Sequence, residues 1–207
     1  MNGQLILAVI VTAVLAYLLG CCNTSIVISK YVLRDDVRNH GSGNAGLTNF
    51  YRVFGKQKIL LVILADVLKT VIAVLAGIAL FRWAGSDPII GKLLGGLFCM
   101  IGHMFPFQFE FKGGKGVLAG GTMACFMGWK VAVAVWGIFF LMVILTRFVS
   151  LGSVGAGVLY PISVGLVYQN LWYTLLALAA GGLLVWRHKD NIKRLLRGEE
   201  SKLKLHK

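Results

Sequence analysis

Between Ile59 and Phe81 the only charged residues are Asp66 and Lys69, and nearly everything else is apolar. A helix needs about 20 largely apolar residues to cross the hydrocarbon of a bilayer. Similar runs cover residues 4–29, 129–147, 151–168 and 171–187, and shorter ones cover 89–104 and 117–128. Charged residues make up 14% of the 207-residue chain, against about 25% in soluble domains, too few for an ordinary water-facing surface. The pattern predicts an all-α integral membrane protein, a seven-helix transmembrane bundle. The two short runs are expected to adjoin re-entrant loops, which are tolerated where they are buried or line water. No linker or soluble block interrupts the pattern, so residues 1–207 read as a single domain.

The net charge of +13 is confined to segments between the apolar runs. In a soluble chain it would suggest nucleic acid; here it sets orientation and attracts anionic lipid or substrate. Residues 30–58, 105–116, the corner at Arg147 and the tail from Arg187 hold most of the Lys and Arg, the tail including Lys204 and Lys207. The opposite segments hold only Arg82, Lys92 and Lys130. Positive residues stay inside, so the N-terminus is expected outside and the C-terminus inside, with the glycine-rich loops cytoplasmic. No basic residue precedes Lys30, so the first run is expected to be a retained helix rather than a signal peptide. Cys21, Cys22, Cys99 and Cys125 show no metal-ligand spacing and read as packing residues.

Four polar segments and one buried pair carry the candidate chemistry. Gly41-Ser42-Gly43-Asn44-Ala45-Gly46-Leu47-Thr48-Asn49 alternates glycine with neutral donors, and Arg52 follows. Such glycines turn backbone N–H groups toward one point, an anion nest, and an Arg fork matches phosphate oxygens. The second segment runs from Gly102-His103 to Lys112-Gly113-Gly114-Lys115-Gly116. It sets two ammonium groups beside backbone that a ligand can approach closely, just before a helix N-terminus. The third is Arg147 with Ser150 and Ser153 at an inner corner, where Ser150 reads equally as a helix cap and as a ligand contact. In the fourth, His188, Asn191 and Arg194 recur every three residues, one face of a helix, with Glu200 beyond. Asp66 and Lys69, at i and i+3 within a span, are expected to be a structural pair facing the protein interior.

GSGNAGLTNFYR, GHMFPFQFEFKGGKGV, RFVSLGSV and RHKDNIKRLL, in that order, resemble the bacterial acyl-phosphate:glycerol-3-phosphate acyltransferase family, and the resemblance extends over nearly the whole chain. It implies a multi-pass enzyme of the bacterial inner membrane with its active site facing the cytoplasm. It implies transfer of a fatty acyl group from acyl phosphate to the 1-hydroxyl of glycerol 3-phosphate, giving lysophosphatidic acid and phosphate, the first committed step of phospholipid synthesis. Ala45, Leu47 and Leu118 depart from the family pattern, which usually has Pro, Ala and Ala there; no polar group is lost.

On this reading the catalytic residues are Ser42, Arg52, His188 and Asn191. Gly41, Gly43, Asn44, Gly46, Thr48, Asn49, His103, Lys112, Gly113, Gly114, Lys115, Gly116, Ser150 and Ser153 bind substrate, and Asp66, Lys69 and Glu200 are structural. No metal, cofactor or nucleic-acid partner is expected; the partners are the two substrates and membrane lipid. No histidine is followed by the aspartate of a His-x-x-x-x-Asp dyad. The proton acceptor is either His188 or the acyl phosphate itself, the second being preferred. A transporter of a phosphorylated metabolite and a non-catalytic lipid-binding relative are the alternatives. The gathering of polar residues on one side of the membrane counts against a transporter, which needs a site near the midplane.

Overall fold

The computed structural model describes residues 3–203, and every regular element among them is helical. Lys204 and Lys207 lie outside the described residues. Helices occupy all seven apolar runs. Five are long and apolar enough to cross a membrane; Val117–Phe126 and Leu171–Arg187 are shorter. Packing divides the chain into two compact units, Met1–Met123 and Ala124–Lys207.

The first unit is built on three mutually packed helices, α1 (Gly3–Cys21), α4 (Ile59–Trp83) and α5 (Pro88–Met104). Apolar side chains gain little by leaving lipid for protein, so close approach between membrane helices relies on small residues. Gly91 and Gly95 of α5 lie against the backbone of Gly77 and Ala73 on α4, and Gly102 lies against Tyr17 O on α1. Gly20 of α1 in turn meets Cys99 O. A methyl group at any of these glycines would collide with backbone, which cannot swing aside as a side chain can. The turn before α5 is built as its sequence suggests: Gly85 has a φ of 62°, and Asp87 caps the helix by accepting from Ile89 N.

Two segments differ from expectation. The first apolar run is not one helix. It breaks at Cys22-Asn23 and restarts as α2 (Thr24–Val27), capped by Asn23 Oδ1, which accepts from Ile26 N at 3.2 Å. The carbonyls freed by the break find donors elsewhere: Gln108 Nε2 reaches Cys21 O, and Lys69 Nζ reaches Cys22 O. The polar stretch after it is not all loop. It contains a one-turn helix (Val37–Asn39) and the amphipathic helix α3 (Leu47–Phe54). Phe50 of α3 is fully buried in a cluster with Ile26, Val37, Ala45, Val62 and Phe109, so the helix is held by packing.

Helix α6 (Val117–Phe126) follows the second glycine loop. In the second unit α8 (Val149–Tyr168) packs against both α7 (Trp129–Thr146) and α9 (Leu171–Arg187). Gly157 on α8 and Gly181 on α9 face each other. Pro161 stands inside α8 without ending it. A short helix, α10 (Lys189–Leu196), ends the regular structure.

Candidate active site

In the first unit the two glycine-rich loops are neighbours. Asp36 chelates the Arg38 guanidinium, Nη2 donating to Oδ2 at 2.8 Å, and Arg38 Nη1 donates across to Phe109 O at 3.0 Å. The hydrogen bond from Arg38 holds the Asp36 carboxyl below the usual carboxylate range, against the opposing effect of burial. Arg38 counted in the sequence only toward charge orientation; the structure makes it a tie between the loops. Phe109 and Ala45 belong to the same buried cluster, and a Cβ on Gly114 would press on Ala45 O.

The first loop turns through Gly41 and Gly43, both left-handed (φ 59° and 68°). Its shape is held by Asn49, which is buried. Asn49 Nδ2 donates to Val37 O and His40 O, and its Oδ1 accepts from Ser42 N at 2.9 Å. Asn49 thus organises the loop, and the Ser42 N–H is directed at Asn49 rather than outward. Ser42 and Arg52 are exposed, and no ion pair among the described residues involves Arg52. Gly46 begins α3 without a side-chain cap, leaving first-turn N–H groups beside Asn44 and Thr48.

The second loop is pinned to the end of α5. Gly113 N donates to Met104 O and Gly114 N to His103 O, each at 3.1 Å. Tyr17 and Asn23 donate to Phe105 O and His103 O. Gly113, Gly114 and Gly116 are buried; Lys112 is exposed and paired with exposed Glu110 at 2.7 Å, a contact that solvent weakens. Gly116 is left-handed at 75° and leads into α6. Beneath the loop lies a cluster that linear sequence reading did not assemble: Asp66, Lys69 and His103, all buried, with Lys69 Nζ 2.7 Å from Asp66 Oδ1 and 3.0 Å from His103 Nδ1. No spacing rule relates His103 to the pair on α4; only the packing of α5 on α4 brings them together.

The second unit gathers its candidates around one carboxylate. Glu200 Oε1 accepts from Ser150 Oγ at 2.8 Å and Asn191 Nδ2 at 2.7 Å, and Oε2 accepts from Arg194 Nε at 2.7 Å. Ser150 stands inside α8, whose cap position is Phe148, so the capping reading of Ser150 is replaced by this bond. Ser153 Oγ donates to Val149 O within the same helix. Leu203 N donates to Arg147 O, returning the tail to the α7–α8 corner. The expected single helix through His188 and Asn191 is interrupted, because His188 ends α9 and caps α10. His188 is buried, with Nδ1 2.8 Å from Leu184 O. A carbonyl only accepts, so Nδ1 carries the proton, and Nε2 of the neutral ring is an acceptor.

Burial raises the Glu200 pKa, but the hydrogen bonds from Asn191, Ser150 and Arg194 outweigh it and hold the carboxyl below its ordinary value. A depressed folded-state pKa adds stability above the unfolded value, and that stability is lost as pH falls through the folded one. Glu200→Gln is therefore expected to lower the thermal midpoint near neutrality by the equivalent of about 1 kcal/mol, kept small because Arg194 is 38% exposed. The gap should close as acid protonates the wild-type carboxyl. Melting in detergent across the acidic range checks this; a gap independent of pH would remove the ionised Glu200 from the account.

Apolar helices of spanning length and two adjoining glycine-rich basic loops define the class, a helical integral membrane protein with polar loops suited to anions. The family model for glycerol-3-phosphate acyltransferase matches residues 10–198. A glycerol-3-phosphate acyltransferase from Thermoanaerobacter pseudethanolicus is 36% identical over 94% of this chain and 95% of its own. One from Prochlorococcus marinus is 37% identical over 91% and 94%. The crystal structure of PlsY (YgiH), an integral membrane glycerol 3-phosphate acyltransferase in its glycerol 3-phosphate form, aligns with a TM-score of 0.85 at 32% identity, covering 95% of this chain and 96% of that one. Its lysophosphatidic acid form aligns at 0.82. The chain belongs to the glycerol-3-phosphate acyltransferase family, whose place is in phospholipid biosynthesis.

Proposed function

We propose that this protein transfers a fatty acyl group from acyl phosphate to the 1-hydroxyl of glycerol 3-phosphate, releasing lysophosphatidic acid and inorganic phosphate. The observation that carries the reading is the pair of glycine-rich, basic loops held together in the first unit, suited to a reaction in which both substrates bear phosphate. Ser42 and Arg52 on the first loop, with Lys112 and Lys115 on the second, neutralise and orient phosphate. The glycerol oxygen attacks the acyl carbonyl, the bond from that carbon to the phosphate oxygen breaks, and the hydroxyl proton ends on the departing phosphate. His188, with Nε2 an acceptor, orients the hydroxyl. Asn191, through Glu200, keeps the tail and the start of α8 in register.

The apolar tail of the donor accounts for a membrane setting, and the distribution of Lys and Arg supports seven spans with the N-terminus outside and both loops cytoplasmic. Purified protein in nanodiscs should release phosphate from palmitoyl phosphate only when glycerol 3-phosphate is present, with lysophosphatidic acid formed in equal amount. Release without acceptor, or none at all, rejects the activity. Impermeant thiol labelling of whole cells should reach a cysteine placed at Gln169 but not one at Gly43; labelling at Gly43 rejects the orientation.

A further inference from the structure

Lys69 lies one turn beyond Asp66 on α4, and its ammonium fills the gap left by the break after α1. Nζ stands 2.7 Å from Asp66 Oδ1, 3.0 Å from Cys22 O, 3.0 Å from His103 Nδ1 and 3.4 Å from Gly20 O. An ammonium has three protons and no lone pair, so its three shortest contacts, Asp66 Oδ1, Cys22 O and His103 Nδ1, must each offer one. His103 Nδ1 is therefore an acceptor, and the neutral ring carries its proton on Nε2. A proton on Nδ1 would set an N–H dipole against the ammonium. Asp66 does not compete for the ring: its Oδ1 is 3.9 Å from Nδ1, beyond hydrogen-bond reach, and accepts from Lys69 and from Thr24 Oγ1 at 3.0 Å. On the opposite edge of the ring, Nε2 sits where a Cβ on Gly114 would fall. The backbone completes the contact, since Gly114 N donates to His103 O.

We infer that Lys69, anchored by Asp66, is a positioning residue: it fixes His103 in the Nε2–H tautomer and so presents a donor at a set place to the 113–116 phosphate loop. The inference rests on the phosphate-binding reading of that loop. It gives the buried charge pair a task beyond bracing the helices, and it gives His103 and His188, the histidines buried among the described residues, opposite tautomers. His103 is held as a donor, while His188 keeps Nε2 as an acceptor.

The experiment is nitrogen-15 NMR of the full chain in lipid nanodiscs with labelled histidine, the His103 signals being identified by their loss in His103→Gln. Wild type should show His103 protonated on Nε2 and His188 protonated on Nδ1, without any substrate present. In Lys69→Met the His103 proton should move to Nδ1 or the ring should become doubly protonated, and the Michaelis constant for glycerol 3-phosphate should rise about tenfold with kcat changed less. Asp66→Asn should keep the wild-type tautomer, because the ammonium still occupies Nδ1. A wild-type His103 carrying its proton on Nδ1 overturns the inference, and that result is read even if Lys69→Met fails to fold. A folded Lys69→Met with an unchanged tautomer, or with an altered tautomer and an unchanged Michaelis constant, overturns it too. The spectrum is independent of turnover, so a wild type that fails to transfer acyl groups rejects the proposed activity and leaves the tautomer assignment standing.

Discussion

Replacing Arg52 by lysine is expected to leave the protein folded and to cut its turnover about 30- to 100-fold, the loss of about 2–3 kcal/mol in charge-assisted bonding to phosphate. The side chain is exposed and engages no carboxylate among the described residues, so folding does not depend on its charge. Its stem passes close to Gly41 at the turn of the first loop. Lysine keeps the charge but not the fork that spans two oxygens. The measurement is kcat with both substrates saturating, beside the melting temperature of the same preparation. Turnover close to wild type would reduce Arg52 to one of the residues that orient the chain in the membrane.

Gly114→Ala is expected to raise the Michaelis constant for glycerol 3-phosphate at least tenfold, with a smaller effect on kcat. A Cβ at this position collides with His103 Nε2 and presses on Ala45 O at 3.1 Å. The imidazole cannot swing away freely, because Lys69 holds its other nitrogen. Moving the loop instead breaks the register set by Gly113 N and Gly114 N, and overpacking of this kind costs about 1–3 kcal/mol. The collision is specific, so it also predicts a coupling. In a His103→Ala background the Gly114→Ala change should cost much less than in wild type, since the ring that blocks it is gone. Additive losses in the double variant would place the damage elsewhere in the loop.

The two variants probe residues that were legible in the sequence to different depths. Both loops announced themselves through glycines interleaved with polar and basic residues, and the left-handed Gly41, Gly43 and Gly116 are the conformations such glycines exist to supply. The division of labour inside the first loop was not legible. Ser42 and Asn49 are equally good donors on paper, yet Asn49 is buried and fully engaged while Ser42 is exposed. Which polar residue serves the loop and which faces outward depends on how Phe50 seats α3 in its apolar cluster. In the same way, His188 and Asn191 have helical spacing, but the chain interrupts the helix at His188, and Asn191 turns to Glu200.

By itself the sequence determined the helical membrane class, the places of the apolar helices, the turn at Gly85 and Asp87, and the two glycine-rich polar loops. These follow from local properties: runs of apolar residues that exclude water, and glycines that permit backbone conformations other residues avoid. Tertiary structure alone decided the break at Cys22-Asn23, the tie from Arg38 to Phe109, and the meeting of Asp66, Lys69 and His103. A helix in lipid breaks only where donors from elsewhere satisfy the carbonyls it releases. The donors here, Lys69 and Gln108, lie far along the chain and reach the break only through close packing of α1, α4 and α5 at their glycines.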